Sequence, residues 1–452
     1  MACTAAGAPT LAGSSYAALS DEELAALTAR LEAEVDAVRA RGLSLNMARG
    51  KPAPEQLDLS LPMLDVLGSG SDLTASDGTD CRNYGVLEGI PEARELFGEI
   101  LGVPASQVLV GGESSLTMMY DAVSHAMTHG VCGCRPWMLQ MEDARARGER
   151  LRWICLVPGY DRHFLITESF GFELVAVPLT DEGPDMGAVR ELASDPLVKG
   201  MWCVPQYSNP TGITYSDDVV RQIASLRPAA PDFRVFWDNA YCEHHLFDEH
   251  ERVANVFEAC ESAGSPDLVY AFCSTSKMTF PGAGVAAMAA SPANLADLAR
   301  TLRVQMIGHD KLNQLRHVRY LGGIEGLREH MRAQAAILRP RFELVQRRLS
   351  EGLGGLGVAR WSDPRGGYFV SFDGLPGSAK AVVALADECG VKLTGAGSTW
   401  PYGRDPQDSN IRLAPSFPTL GELDEALGAF VSCVKLVSAR LVRDGRAQRA
   451  GE

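Results

Sequence analysis

Six short apolar runs, separated by stretches of helical spacing, constrain this chain more than any other feature. They are QVLVGG, WICLVPGY, ELVAVPLT, GMWCVPQY, RVFWDNAY and DLVYAFCS, spread over residues 107 to 274. Most are rich in β-branched or aromatic residues and end in Gly, Pro, Asn or Ser, the pattern of buried strands joined by helices. The predicted class is α/β: a large domain with a mostly parallel sheet flanked by helices, plus a smaller α+β domain. A second unit is expected because 452 residues exceed what one hydrophobic core usually supports. Its strands are RGGYFVSF, VKLTGAG and NIRLAPS, reached through a long helical stretch over 292–349.

Before the sheet, Ser20 and Glu23 form a capping-box signal, and Leu24, Leu27, Leu31, Val35 and Val38 follow at helical spacing, predicting a helix over 21–40. The expected division is a mobile tail at 1–19, an N-terminal helix and arm at 20–59 belonging to the small domain, a large domain at 60–325 and a C-terminal small domain at 326–452.

The net charge of -15 argues against nucleic acid or an anionic membrane surface as partner. No run of about 18 apolar residues is present, so no membrane span is expected. Eleven cysteines without a secretory segment ahead of them fit reduced thiols in a cytoplasm. The one tight pair, Cys132 and Cys134, lacks a second pair at zinc-site spacing and reads as a loop; no metal is expected.

In open parallel sheets ligands gather beyond the carboxyl ends of the strands, so the polar residues after each run are the informative ones. QVLV is followed by GGESSL, where Ser114 and Ser115 open a helix; free N–H groups and hydroxyls there suit a phosphate, and equally suit ordinary capping. WICLV leads to Tyr160 and His163, and MWCVP to Asn209 in a tight Asn-Pro turn. RVFW leads to Asp238, a carboxylate that needs a cationic or hydrogen-bonding partner after a buried strand, with Tyr241 three residues on. DLVYAFCS leads to Lys277, whose amine would be desolvated and thereby made a usable nucleophile or base. A phosphate, a stacked ring, a phenolic oxygen, a protonated ring nitrogen and an aldehyde would satisfy all of these groups together, and pyridoxal 5'-phosphate has all five.

In order and spacing, GGESSL, PGYDRH, NPTG, DNAY and STSK resemble the fold-type I aminotransferases of the class I and II family, over residues 45–435. The segments RGKPAPEQLDLS, YGVLEGIPEAR, PGYDRHF and STSKMTFPGAGVA are most similar to the subgroup Ic aspartate aminotransferases. The resemblance implies that Lys277 attaches the cofactor and shuttles the proton at the substrate α-carbon. It implies that Asp238 keeps the pyridine nitrogen protonated, supported by His163, that Asn209 and Tyr241 bond the phenolic oxygen, and that Tyr160 stacks on the ring. Ser114, Ser115, Ser274 and Ser276 would bind the phosphate, joined by Tyr84 from the neighbouring subunit of a homodimer. Arg412 would grip the substrate α-carboxylate, with Gly50 supplying backbone beside it.

One position departs from the pattern: most relatives carry a phosphate-pairing arginine eight residues after the lysine, where this chain has Val285 after Gly284. The phosphate's counter-charge is thereby left unassigned. The implied activity is transfer of an amino group between an amino acid and a 2-oxo acid by a ping-pong cycle, with aspartate and 2-oxoglutarate as the expected pair. A lyase acting on a β-substituted amino acid would use the same Lys277 and Asp238, and a non-catalytic ligand sensor is the third reading. A dicarboxylate needs a second cation, expected in MIGHDKLNQLRH of the partner subunit. That segment offers Lys311, Asn313 and Arg316, which equally read as a solvated helix face; Arg49 and Lys51 are further candidates.

Overall fold

A computed structural model describes residues 8–451. All six apolar runs form strands of one sheet. In chain order the strands of the molecule are β1 (Leu45–Asn46), β2 (Val108–Val110), β3 (Arg152–Val157), β4 (Glu173–Thr180), β5 (Gly183–Pro184), β6 (Val198–Cys203) and β7 (Arg234–Asp238). Then come β8 (Val269–Ser274), β9 (Ala286–Ala289), β10 (Ala359–Trp361), β11 (Val370–Gly374), β12 (Val391–Lys392) and β13 (Asn410–Leu413).

The large sheet has eight strands in the order β2-β9-β8-β7-β6-β3-β4-β5. β8, β7, β6, β3 and β4 pair in parallel, while β9 runs against both its neighbours and β5 closes an antiparallel edge hairpin with β4. Strands β6, β7 and β8 are buried at every position, as strands covered on both faces must be, whereas β4 near the edge mixes buried and exposed residues. This is the expected α/β class, with β10-β11-β13 and β1-β12 as separate small sheets.

The N-terminal helix spans Asp21–Ala40, and Ser20 and Glu23 make the reciprocal capping box anticipated for it. Its Leu24, Leu31 and Val35 share one apolar cluster with Val370, Phe372, Ile411 and Phe430 of the C-terminal portion. The stretch over 292–349 resolves into helices Pro292–Gln305, Lys311–Leu321 and Ile324–Leu353, with Gly322 and Gly323 at positive φ separating the last two. The last helix crosses between cores: Leu327 and Met331 pack under the large sheet, and Leu338, Phe342, Val345 and Leu349 belong to the second cluster. Position 326 therefore lies inside a continuous helix and not in a linker.

Residues 1–7 of the expected tail lie outside the described residues. The remainder differs from the expectation of mobility: Ser14 caps a short helical turn at Ser15–Ala18 and Tyr16 is buried. Arg446 donates to the carbonyls of Ala17 and Leu19 at 2.8 and 2.7 Å. Among the described residues no helix is long and apolar enough to cross a membrane.

Candidate active site

The carboxyl ends of β3, β6, β7 and β8 bring together residues far apart in sequence. Asp238, the last residue of β7, is 3 % exposed, and its Oδ2 lies 2.9 Å from Nε2 of His163. His163 comes from the helix Asp161–Ser169 that follows β3, and its ring stacks on Trp202 of β6 at 4.6 Å between centroids. The other carboxylate oxygen, Oδ1, is buried without a hydrogen-bond partner. A buried acceptor left unpaired costs about 1–3 kcal/mol, so it marks a place where a donor belongs. A protonated ring nitrogen fits it.

Lys277 ends the short helical turn Thr275–Lys277 directly after β8. Burial pulls its amine below the usual lysine range, Asp238 pushes it back up, and Arg412 lowers it further. Nζ lies 4.8 Å over the ring of Tyr241. The phenol of Tyr241 is itself pushed well up by burial and feels Tyr160, Asp238 and Arg412. The phenol of Tyr160 is pushed up to about 12, first by burial and then by Asp238, and its ring meets His163 edge to face at 4.9 Å. Lys277, Asp238, His163, Tyr160 and Tyr241 thus form one electrostatic neighbourhood.

Arg412 enters from β13 of the small sheet. Its Nη1 donates to Oδ1 of Asp161 at 3.1 Å and to Oδ1 of Asn209 at 3.3 Å, while Nε is buried and unpaired. Its guanidinium lies 4.9 Å from the centroid of the Phe369 ring. Gly50 is required beside that ring, because a Cβ there would meet Phe369 Cζ at 2.3 Å. Asn209 is held by the turn that closes with Ser208 N donating to Ile213 O at 2.9 Å.

The hydroxyls assigned to phosphate are also gathered. Ser274 Oγ donates to Ser276 Oγ at 3.0 Å, and Ser276 Oγ to the carbonyl of Glu113 at 3.2 Å. Glu113 precedes Ser114, which caps the helix Ser115–His129 by accepting from Leu116 N at 3.2 Å. The capping role of Ser114 is therefore present, and the bond from Ser276 to Glu113 ties the serine pair to the segment that leads into this helix.

Tyr84 and Lys311 stand apart from this group. Tyr84 is 81 % exposed. Lys311 is not on a solvated helix face: it is 4 % exposed, and Nζ donates to the carbonyl of Gly85 at 2.9 Å. Its ammonium is held by the carbonyl of the residue next to Tyr84, which leaves two of its N–H donors.

Sequence reasoning missed the groups that fix Lys277 from below. His244 and Tyr368 donate to the Lys277 carbonyl at 3.3 and 3.4 Å, and His330 and Gln334 to the Met278 carbonyl at 2.7 and 3.1 Å. Gln56 links Gln334 and Tyr368 at 2.8 and 3.0 Å. Burial pushes His244 down to about 3, so it stays neutral. Asp161 as the partner of Arg412 was also missed, although it stands two residues before His163 in the same motif.

Residues 19–446 match the family model described as aspartate amino-transferase. An aspartate aminotransferase of Corynebacterium glutamicum is 46 % identical over 410 residues, covering 90 % of this chain and 93 % of that protein. The crystal structure of an aspartate transaminase from Corynebacterium glutamicum superposes with a TM-score of 0.90 at 44 % identity, covering 94 % of this chain and 99 % of the other. An alpha-aminoadipate aminotransferase from Thermus thermophilus, complexed with N-(5'-phosphopyridoxyl)-L-leucine, shares the fold at a TM-score of 0.70 and 21 % identity, covering 88 % and 95 %. The lyase reading finds no support in these relatives. A transaminase is what the site and the relatives agree on, and the chain belongs to the aspartate aminotransferase family.

Proposed function

We propose that this chain transfers the amino group of aspartate to 2-oxoglutarate, using pyridoxal 5'-phosphate held at Lys277, in a homodimer whose subunits share their sites. The observation that carries the reading is the buried, unpaired Oδ1 of Asp238 in the same neighbourhood as the desolvated Lys277. The name of the Corynebacterium glutamicum relative supports the choice of aspartate.

When bound, the cofactor supplies an aldehyde for the amine and a ring that takes up carbanion charge. His163 donates to Asp238 Oδ2, which leaves the buried Oδ1 as the acceptor that would hold a protonated ring nitrogen. Burial keeps a larger share of Lys277 neutral than a free lysine would have, so Nζ can take the α-proton of the substrate and return it. Tyr160 would cover the ring, and Asn209 and Tyr241 would hold its phenolic oxygen. Arg412, oriented by Asp161 and Asn209, receives the α-carboxylate in a two-pronged contact. Ser114, Ser115, Ser274 and Ser276 would hold the phosphate, and Tyr84 of one protomer would reach the phosphate of its partner.

A donor panel tests the substrate. Aspartate or glutamate should exceed alanine, leucine and phenylalanine in kcat/KM. A tenfold advantage for a neutral or aromatic donor, about 1.4 kcal/mol of discrimination, overturns the dicarboxylate assignment and leaves the transaminase standing.

A further inference from the structure

Of the cations named so far, three already have a place in the site. Lys277 lies over Tyr241, Lys311 is held by the Gly85 carbonyl, and Arg412 faces Asp161 and Asn209. A further cation, Arg316, stands in the helix Lys311–Leu321. Its Nη2 donates to Oδ1 of Asn313 at 2.5 Å, and its Nε is buried without a partner. Asn313 in turn donates to the carbonyls of Ala283 and Gly284 at 3.1 and 2.9 Å.

That chain of contacts ends at the serine cradle. A Cβ on Gly284 would lie 3.2 Å from both the Glu113 carbonyl and Thr275 Oγ1, and the Glu113 carbonyl is the one that receives Ser276 Oγ. Where the family pattern has an arginine eight residues after the lysine, this chain has the buried Val285 after Gly284, and the neighbouring helix meets this loop through Asn313, which Arg316 contacts. The two imidazoles on this side cannot replace the charge. His317, bonded to Thr275 Oγ1 at 3.2 Å and Thr279 Oγ1 at 3.0 Å, is pushed down to about 4 by burial, and burial also lowers His309. A phosphate dianion surrounded only by hydroxyls and amide N–H groups would keep much of its desolvation cost, and a guanidinium with unused N–H donors removes it.

We infer that Arg316, oriented by Asn313 against the Gly284 carbonyl, is the counter-charge of the cofactor phosphate in this chain, in place of the arginine absent at Val285. The inference rests on the cofactor reading above and assigns Arg316 to the phosphate and not to a substrate's distal carboxylate.

The test compares two aldehydes on the apo chain, pyridoxal 5'-phosphate and pyridoxal, by spectral titration of their covalent capture at Lys277. Arg316→Met keeps the length of the side chain and removes its charge; Arg316→Lys keeps the charge and loses the planar fork. The expected result is a loss of affinity for pyridoxal 5'-phosphate of about 10- to 100-fold in Arg316→Met, with pyridoxal within about twofold of wild type, and partial recovery in Arg316→Lys. Equal affinity of wild type and Arg316→Met for the phosphate ester overturns the inference and leaves the cofactor reading intact. A loss that is the same for both aldehydes also overturns it, since that is a structural effect. A wild-type chain that captures neither aldehyde removes the cofactor reading, and the inference with it.

Discussion

On the large-sheet side of the site, Asp238 has one oxygen fixed by His163 at 2.9 Å and the other buried and unpaired. On the small-sheet side, Arg412 already donates to two protein oxygens, Asp161 at 3.1 Å and Asn209 at 3.3 Å. The first arrangement is expensive while the acceptor waits, which suits a group that arrives once and stays. The second can exchange one oxygen for another at little cost, which suits a carboxylate that enters and leaves in every half-reaction. The support differs in the same sense. Trp202 and the buried strands back the His163–Asp238 pair, whereas Arg412 rests on the face of Phe369, packed against Gly50 of the N-terminal arm.

The largest effects are expected on the resident side. Lys277→Ala removes both the covalent anchor and the proton carrier, so turnover should fall by at least about 10³-fold and the visible band of the bound aldehyde should vanish. An unchanged band in that variant would sink the assignment. Asp238→Ala should retain some cofactor while kcat drops by about 10²- to 10³-fold, because the ring nitrogen loses the charge that holds its proton. Near-normal turnover with cofactor bound would show that Oδ1 has another purpose.

On the exchanging side the effects should be smaller and should appear in KM. Arg412→Lys replaces a fork with a point charge, and KM should rise about 10- to 100-fold for every amino acid and 2-oxo acid alike. A rise confined to some substrates would mean that Arg412 reads a side chain. Lys311→Ala is the mildest: the ammonium holds the Gly85 carbonyl beside Tyr84, so kcat/KM should fall by only about two- to fivefold, equally for aspartate and for neutral donors. A loss limited to dicarboxylates would return Lys311 to the role of distal cation that its place in the sequence invited.

A pH measurement sharpens the same contrast. Burial lowers the Lys277 amine and Asp238 raises it, so capture of pyridoxal 5'-phosphate by the apo chain should follow a pKa below 10.5. Asp238→Asn removes the opposing carboxylate and should move that pKa further down. An upward move would contradict the placement of Asp238 beside the amine.

The resident side was largely legible in the sequence because each of its residues follows a buried strand, and strand ends in a parallel sheet converge. Asp238, Lys277, His163 and Asn209 could be placed from the apolar runs alone, before any contact was known. The exchanging side was legible only in part. Arg412 comes from a three-stranded sheet more than 130 residues beyond Lys277, and its partner Asp161 looks like an ordinary first-turn acid of a helix. Gln56, Gln334 and Tyr368 carry no local signal, since their link to Lys277 exists only after the arm, the long helix and the small sheet close together. Lys311 was misplaced for a related reason. The helical spacing of KLNQLRH shows which residues share a face, but not that the Gly85 loop covers that face.

The most direct measurement of the central claim is a single half-reaction. Cofactor-loaded protein is mixed with aspartate in the absence of any 2-oxo acid, and the products are counted per site. One equivalent of 2-oxo acid should be released per site, with no further product until 2-oxoglutarate is added, and the reaction should be markedly slower with alanine, leucine or phenylalanine. Continuous release of product without an acceptor would contradict transamination, and release of none from aspartate would contradict the substrate.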